Sequence, residues 1–436
     1  MSSHIKWLTG EMERWRSEKI VTNDQAEKIL SLYPEKQFSA NLATLILTSV
    51  GAVIFGLGII LLFAYNWDAI PKFAKLAVVF FALLTTHGFG IFFRKKGRRF
   101  IILSEAFHLL GTMMFGAGIW LVAQIYNIDE HYPNAFLIWG FGALAMAWAL
   151  DSIPQAVGAV ILLCFWNGFE VFDFRNSNHL ASLAILIAVG PLAWRLKSVV
   201  LLYVAVPAFI LTYIFNCTHF GMAEHIIPPV LVFLSSVLIS SAILAMEKDF
   251  FKGSPTVFRF YGNIIYWISL YVLTFPNIMR EIIGAFYFNN IVPSLYFTIP
   301  AIVAIGLWIA VLLPLKKFRE NYGRTFRMDH FCVFLTLLVL LLNRGWLCDM
   351  NGWLGAGIFN LIFLAQAIAM ISFGCRNLDG WLVASGTILI TILAFTRYAD
   401  LFDSLLPRAI VFLVVGALIF GTGIFYVNRK KKEQKT

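Results

Sequence analysis

Residues 51–71 read GAVIFGLGIILLFAYNWDAIP, from Gly51 to Pro71, and this stretch decides the fold. From Gly51 to Tyr65 it carries no charge. Joined to the apolar residues before it, the run reaches the roughly 20 residues that a helix needs to cross the hydrocarbon core of a bilayer. Glycine costs about 1 kcal/mol against alanine inside a helix. Gly51, Gly56 and Gly58 are therefore read as packing positions, where a missing side chain lets a second helix come close. At Tyr65-Asn66-Trp67-Asp68 the run turns polar, and Pro71 ends it. Sixty residues on, Gly111–Pro133 reads GTMMFGAGIWLVAQIYNIDEHYP. Gly111, Gly116 and Gly118 fall in step with the first set, and Tyr126-Asn127-x-Asp129 repeats Tyr65-Asn66-x-Asp68. Two copies in one direction imply a tandem pair of membrane hairpins.

Working outward, the same pattern fills the chain. Of 436 residues, 60% are hydrophobic and 13% charged, against about 25% charged in soluble domains. The expected fold is all-α, a polytopic transmembrane helix bundle of about 14 spans. Centres are expected near Gly56, Leu83, Phe115, Ala143, Leu162, Leu186, Phe209, Leu238, Ser269, Ile305, Leu337, Phe363, Ile390 and Gly416. Charge placement orients them. With residues 1–40 inside, the alternate loops hold 21 Lys and Arg and the opposite loops hold 7. Basic residues collect on the cytoplasmic side, so both termini are expected there. Short basic loops between spans, without interleaved aromatics, read as topology determinants and not as nucleic-acid patches.

Four regions follow. Residues 1–40 form a cytoplasmic arm with six bases and six acids, lacking the apolar core of a signal peptide. Thr22 and Gln25 have capping-box spacing at the start of a short helix. Residues 41–150 form a four-helix membrane repeat unit, 151–428 the remaining bundle, and 429–436 a basic tail. The five cysteines show no CxxC spacing, so neither a disulfide framework nor a metal site is expected, and no cofactor.

Several of these pieces together resemble a bacterial membrane-protein family called domain of unknown function 2157. They are the short N-terminal helices, the GxxxFGxGI helix, the Ala64-Tyr65-Asn66-Trp67-Asp68-x-x-Pro71 turn, and Gln124-Ile125-Tyr126-Asn127-Ile128-Asp129 followed by Trp139-Gly140. The resemblance covers roughly residues 5–150 and more weakly the C-terminal end. It implies an inner-membrane protein and supplies no catalytic residue.

Two constellations carry the chemistry that can be read here. Asn66, Asp68, Asn127 and Asp129 fall at the outer ends of spans 1 and 3. They are expected either to build turns, as Asn and Asp readily do, or to form a polar vestibule for an ion or a hydroxylated ligand. His87, Glu105 and His108 fall within spans 2 and 3, at matching depth across one tight hairpin. Ionisable groups inside a membrane are costly and tend to mark pathways, and histidine titrates near neutrality. A glutamate between two imidazoles is a candidate proton relay; the bland alternative is a structural pair. Arg397 and Asp400 have the spacing of an i,i+3 ion pair.

No P-loop, GxSxG or HExxH motif occurs. The leading expectation is a transporter-like or permeation module for a small solute or ion in the inner membrane, embedded in the lipid bilayer. A membrane enzyme or envelope assembly factor acting on lipid-linked substrates is the second. A scaffold that holds a protein partner, or a further copy of the chain, is the third.

Overall fold

The structure is a computed structural model describing residues 11–18, 20–31, 38–65, 71–128, 131–218, 223–247, 250–285, 291–312, 328–343 and 352–400, with 416, 417 and 421. Among these residues the regular structure is helical throughout. The chain divides into two compact units, residues 1–159 and 160–436.

The first unit begins with two short helices, α1 (residues 11–17) and α2 (Asn23–Ser31). The capping box is formed. Thr22 N–H donates to Gln25 Oε1 at 3.0 Å, and Gln25 N–H donates to Thr22 Oγ1 at 3.3 Å. Two of the first-turn donors are thus satisfied reciprocally. Met12 and Ala26 are buried. Thr22→Ala is expected to weaken α2 by about 1 kcal/mol, read as roughly fivefold faster amide exchange at Gln25 and Ala26.

The membrane part of this unit is α3 (Phe38–Tyr65), α4 (Lys72–Lys95), α5 (Ile101–Ile125), α6 (Pro133–Leu150) and the start of α7 (Ile153–Phe172). Helix α5 is the central one. It packs on α3, α4 and α6, and a dozen of its residues are buried, against Gly90 alone on α4. The outward face of α4, with Phe73, Phe81 and Leu84, is exposed.

Four of the expected packing glycines of this repeat lie against a neighbouring side chain. A Cβ on Gly56 would stand 3.0 Å from Leu110, and one on Gly118 would stand 3.1 Å from Val79. At Gly111 it would meet the His87 ring and at Gly116 the Trp139 indole. At Gly51 and Gly58 nothing lies within 4 Å. Those two point away from the partners that α3 has among the described residues.

The second unit contains α8 (His179–Arg195), α9 (Val199–Thr218), α10 (Ala223–Glu247), α11 (Ser254–Leu273), α12 (Pro276–Ala285), α13 (Ile291–Leu312), α14 (Met328–Asn343), α15 (Gly352–Asn377) and α16 (Gly380–Asp400). Its core gathers Phe233, Tyr266, Trp308, Phe359 and Phe363. Buried polar tips are paired. Trp308 Nε1–H donates to Ser236 Oγ at 2.7 Å, and Tyr266 shares a 2.9 Å bond with Thr336. Inside α8, residues Ile185–Val189 widen into a π-turn, with Gly190 N–H bonded to Ile185 O. Pro191 follows at once, and its missing N–H breaks the regular ladder there.

Helices occupy thirteen of the fourteen expected span centres; the last, near Gly416, lies in a stretch mostly outside the described residues. Among the described residues nine helices are long and apolar enough to cross a membrane, and two shorter apolar ones, Thr44–Gly58 and His179–Arg195, accompany them. The short helix α12 was not among the expected elements.

Candidate functional site

Helices α4 and α5 are joined by a tight connection, Lys96–Phe100, with Gly97 at φ 105°. That sign of φ suits glycine. The hairpin brings residues 21 apart in sequence to one level, and there the two expected histidines meet. His87 Nδ1 and His108 Nδ1 lie 3.0 Å apart in one hydrogen bond. The ring centroids are 5.4 Å apart.

Glycine makes the contact possible, and does so reciprocally. Each histidine is followed three residues later by a glycine on its own helix: His87 by Gly90, His108 by Gly111. Residues three apart share a helical face, so each ring rests on the bare backbone of the other helix. A Cβ on Gly111 would lie 2.5 Å from His87 Nε2, and one on Gly90 would lie 2.7 Å from His108 Nε2. Ser104 Oγ–H donates to Gly90 O at 2.7 Å, which ties the two backbones at the same level.

Glu105 completes the neighbourhood, but not between the rings. Its carboxylate accepts a bond from Ser152 Oγ–H, and Arg94 Nη1 stands 3.8 Å from Oε1. Both partners belong to helix ends. Ser152 begins α7, where its Oγ also accepts from Gln155 N–H at 3.4 Å. Arg94 Nη2 donates to Leu150 O at 2.8 Å, capping the last turn of α6, where a cation is favoured by the helix dipole. Between them Asp151 adopts the left-handed conformation, φ 52°. The glutamate and arginine of one hairpin thus clasp the α6–α7 turn.

A further pair of polar side chains lies deeper. Thr112 Oγ1–H donates to Gln155 Oε1 at 2.9 Å, and Trp139 Nε1–H donates to Thr112 O at 2.8 Å. Ser104, His108 and Thr112 recur every four residues, so α5 carries one polar stripe, with Glu105 beside it. All four are buried. Two nitrogens, His108 Nε2 and Gln155 Nε2, are buried without a hydrogen-bond partner among the described residues. In low dielectric such atoms are costly, and water is the usual partner in a polar cavity.

Beyond Thr112 the lining changes. A vestibule of about 530 Å³ opens between α4, α5 and α6, from Met114 onward. Leu76, Phe80 and Leu83 face Phe115, Ile119 and Ile138 across it, and polar lining comes from His131, Tyr132 and Asn134.

The second expected constellation is only partly visible. Asn66, Asp68 and Asp129 lie outside the described residues. Asn127 is exposed in the turn after α5 with φ 50°, a left-handed conformation that asparagine tolerates. In the second unit, Arg397 donates to Thr274 O at 2.7 Å and to Thr274 Oγ1 at 2.8 Å, with its guanidinium over the Phe275 ring. It caps the end of α11. The Asp400 side chain lies outside the described residues.

Ser104, Ser152, Thr112 and Gln155 were not singled out from sequence, because serine, threonine and glutamine are common in helices. The doubled His-x-x-Gly was a usable signal, since both histidines sit one turn before a glycine in facing spans.

Residues 13–156, about a third of the chain, match the family described as "Predicted membrane protein (DUF2157)". No curated protein and no solved structure matches the chain. Together with the apolar helices, the match identifies a multi-pass membrane protein.

Proposed function

We propose that the first unit is the proton-permeable part of a transporter-like protein of the inner membrane, with both termini cytoplasmic and fourteen spans. One observation carries the reading: the direct Nδ1–Nδ1 bond between His87 and His108 inside two spanning helices. In that bond one ring donates and the other offers its lone pair. The pair therefore accommodates one extra proton and not two, since two imidazolium rings have no lone pair to share. A proton arriving at Nε2 of one ring makes it an imidazolium. Its Nδ1–H then passes to Nδ1 of the other ring, which releases the proton on its own Nε2 to the far side. Charge is conserved at each step, and a tautomer exchange or ring flip at each histidine then restores the starting pair for the next proton.

Placement supports the reading. The basic residues of the connecting loop favour a cytoplasmic Arg94 end of the hairpin, with Glu105 near that mouth and His108 about one turn deeper.

The test is proton flux into proteoliposomes holding the full chain, driven by a potassium diffusion potential and read with an internal pH dye. His108→Phe keeps the ring volume and removes both nitrogens. It is expected to lower flux at least tenfold, and His87→Phe likewise. Glu105→Gln is expected to lower it less, because the carboxylate is not between the rings. Flux equal in the wild type and His108→Phe, or no wild-type flux above protein-free vesicles, sinks the proposal and leaves the pair as a pin between helices.

A further inference from the structure

The vestibule beyond Thr112 takes no part in the relay, and its chemistry is of another kind. Its walls are hydrocarbon and aromatic, while its polar groups lie in and just after the connection that precedes α6. A ligand that fits has a long apolar body and a polar head at one end.

The charge at that end is also placed. Lys72 opens α4 four residues before Leu76. Positions 72, 76, 80 and 83 recur at helical spacing, so Lys72 stands one turn beyond the lining residue Leu76 on the same face of α4. Lys72 Nζ–H donates to Ile125 O at 3.4 Å, which holds the ammonium beside the last turn of α5, above the lining residues Val122 and Ala123. Trp120 and Tyr132, whose ring centroids are 6.5 Å apart, stand at the same end, as aromatic side chains do at the headgroup level. A cation at the end of a spanning helix, beside an apolar slot, matches a phosphate joined to an acyl chain.

We infer that this vestibule is a specific phospholipid site, with one acyl chain between α4, α5 and α6 and the phosphate at Lys72. The occupant enters sideways from the bilayer, because α4 is open to lipid along most of its length. The site stands apart from the proton relay, which lies nearer the other end of the same helices.

The experiment is native mass spectrometry of the full chain after exhaustive detergent exchange, followed by titration with dioleoylphosphatidylglycerol or with dioleoylglycerol, which lacks the phosphate. The wild type is expected to keep or rebind one phospholipid per chain and to bind dioleoylglycerol at least tenfold more weakly. Lys72→Gln removes the charge without touching the cavity and is expected to weaken phospholipid binding about tenfold. Ala123→Phe fills the slot and is expected to abolish it. Equal affinity for the two lipids, or no change in Lys72→Gln, overturns the inference. So does retention of the lipid by Ala123→Phe with an unchanged melting temperature. Should Ala123→Phe fail to fold, Lys72→Gln decides alone.

Discussion

Replacing Gly111 by valine is expected to destabilise the first unit by about 3 kcal/mol, at the upper end of what overpacking usually costs. A Cβ at this position would stand 2.5 Å from His87 Nε2 and 2.7 Å from its Cε1. The imidazole has no easy retreat, because its other nitrogen is bonded to His108. Either the ring leaves that bond or α4 and α5 separate. A second substitution isolates the cause. In a His87→Ala background the obstructing ring is gone, and the cost of Gly111→Val is expected to fall below about 1 kcal/mol, a coupling that residues in contact show. The measurement is denaturant unfolding of the four proteins in micelles. Additive effects of the two substitutions would contradict the reciprocal packing. Gly90→Val and His108→Ala make the mirror experiment.

The second large effect is expected at Glu105. Glu105→Ala leaves the buried Ser152 without its acceptor and removes the anion beside Arg94. The expected loss is about 2–3 kcal/mol, the usual cost of unsatisfied buried polar groups. Glu105→Gln still offers an oxygen to Ser152 and is expected to cost about 1 kcal/mol. Arg94→Ala is expected to cost less than Glu105→Ala, because the arginine side chain is 41% exposed against 9% for the glutamate, and exposed ion pairs contribute little. The same unfolding series orders the three. A loss from Arg94→Ala exceeding that from Glu105→Ala would mean that the ion pair, and not the Ser152 bond, holds the α6–α7 turn.

Much of the fold was legible along the chain. Uncharged runs of about 20 residues mark helices wherever they fall, since each residue's preference for hydrocarbon is its own and does not depend on distant partners. The depth match of His87 and His108 was legible for a related reason. A hairpin closed by five residues fixes the level of everything on its two arms. Six glycines of the repeat were expected to pack against helices; four lie against a neighbouring side chain and two do not. Gly111 and Gly116 receive aromatic rings, from His87 and Trp139, whereas Gly51 and Gly58 receive nothing. Which face of a helix meets a neighbour depends on the rotation and crossing of both helices, and every residue of an apolar run suits lipid and protein equally well.

The same limit explains Glu105. On spacing alone, a glutamate three residues from a histidine stands with it, and a relay through the carboxylate follows. In the folded unit the carboxylate turns instead to Ser152, 47 residues away, in the turn before α7. Sequence by itself determined the helical, membrane-type character of the chain, the charge asymmetry of its loops and the common level of His87 and His108. These follow from transfer free energies and from short connections. The tertiary structure alone decided that the histidines bond each other, that glutamate and arginine clasp a turn between two other helices, and that an apolar vestibule begins where the polar stripe of α5 ends. Those features depend on side chains many residues apart approaching within about 3 Å, and that distance is set by how the helices cross.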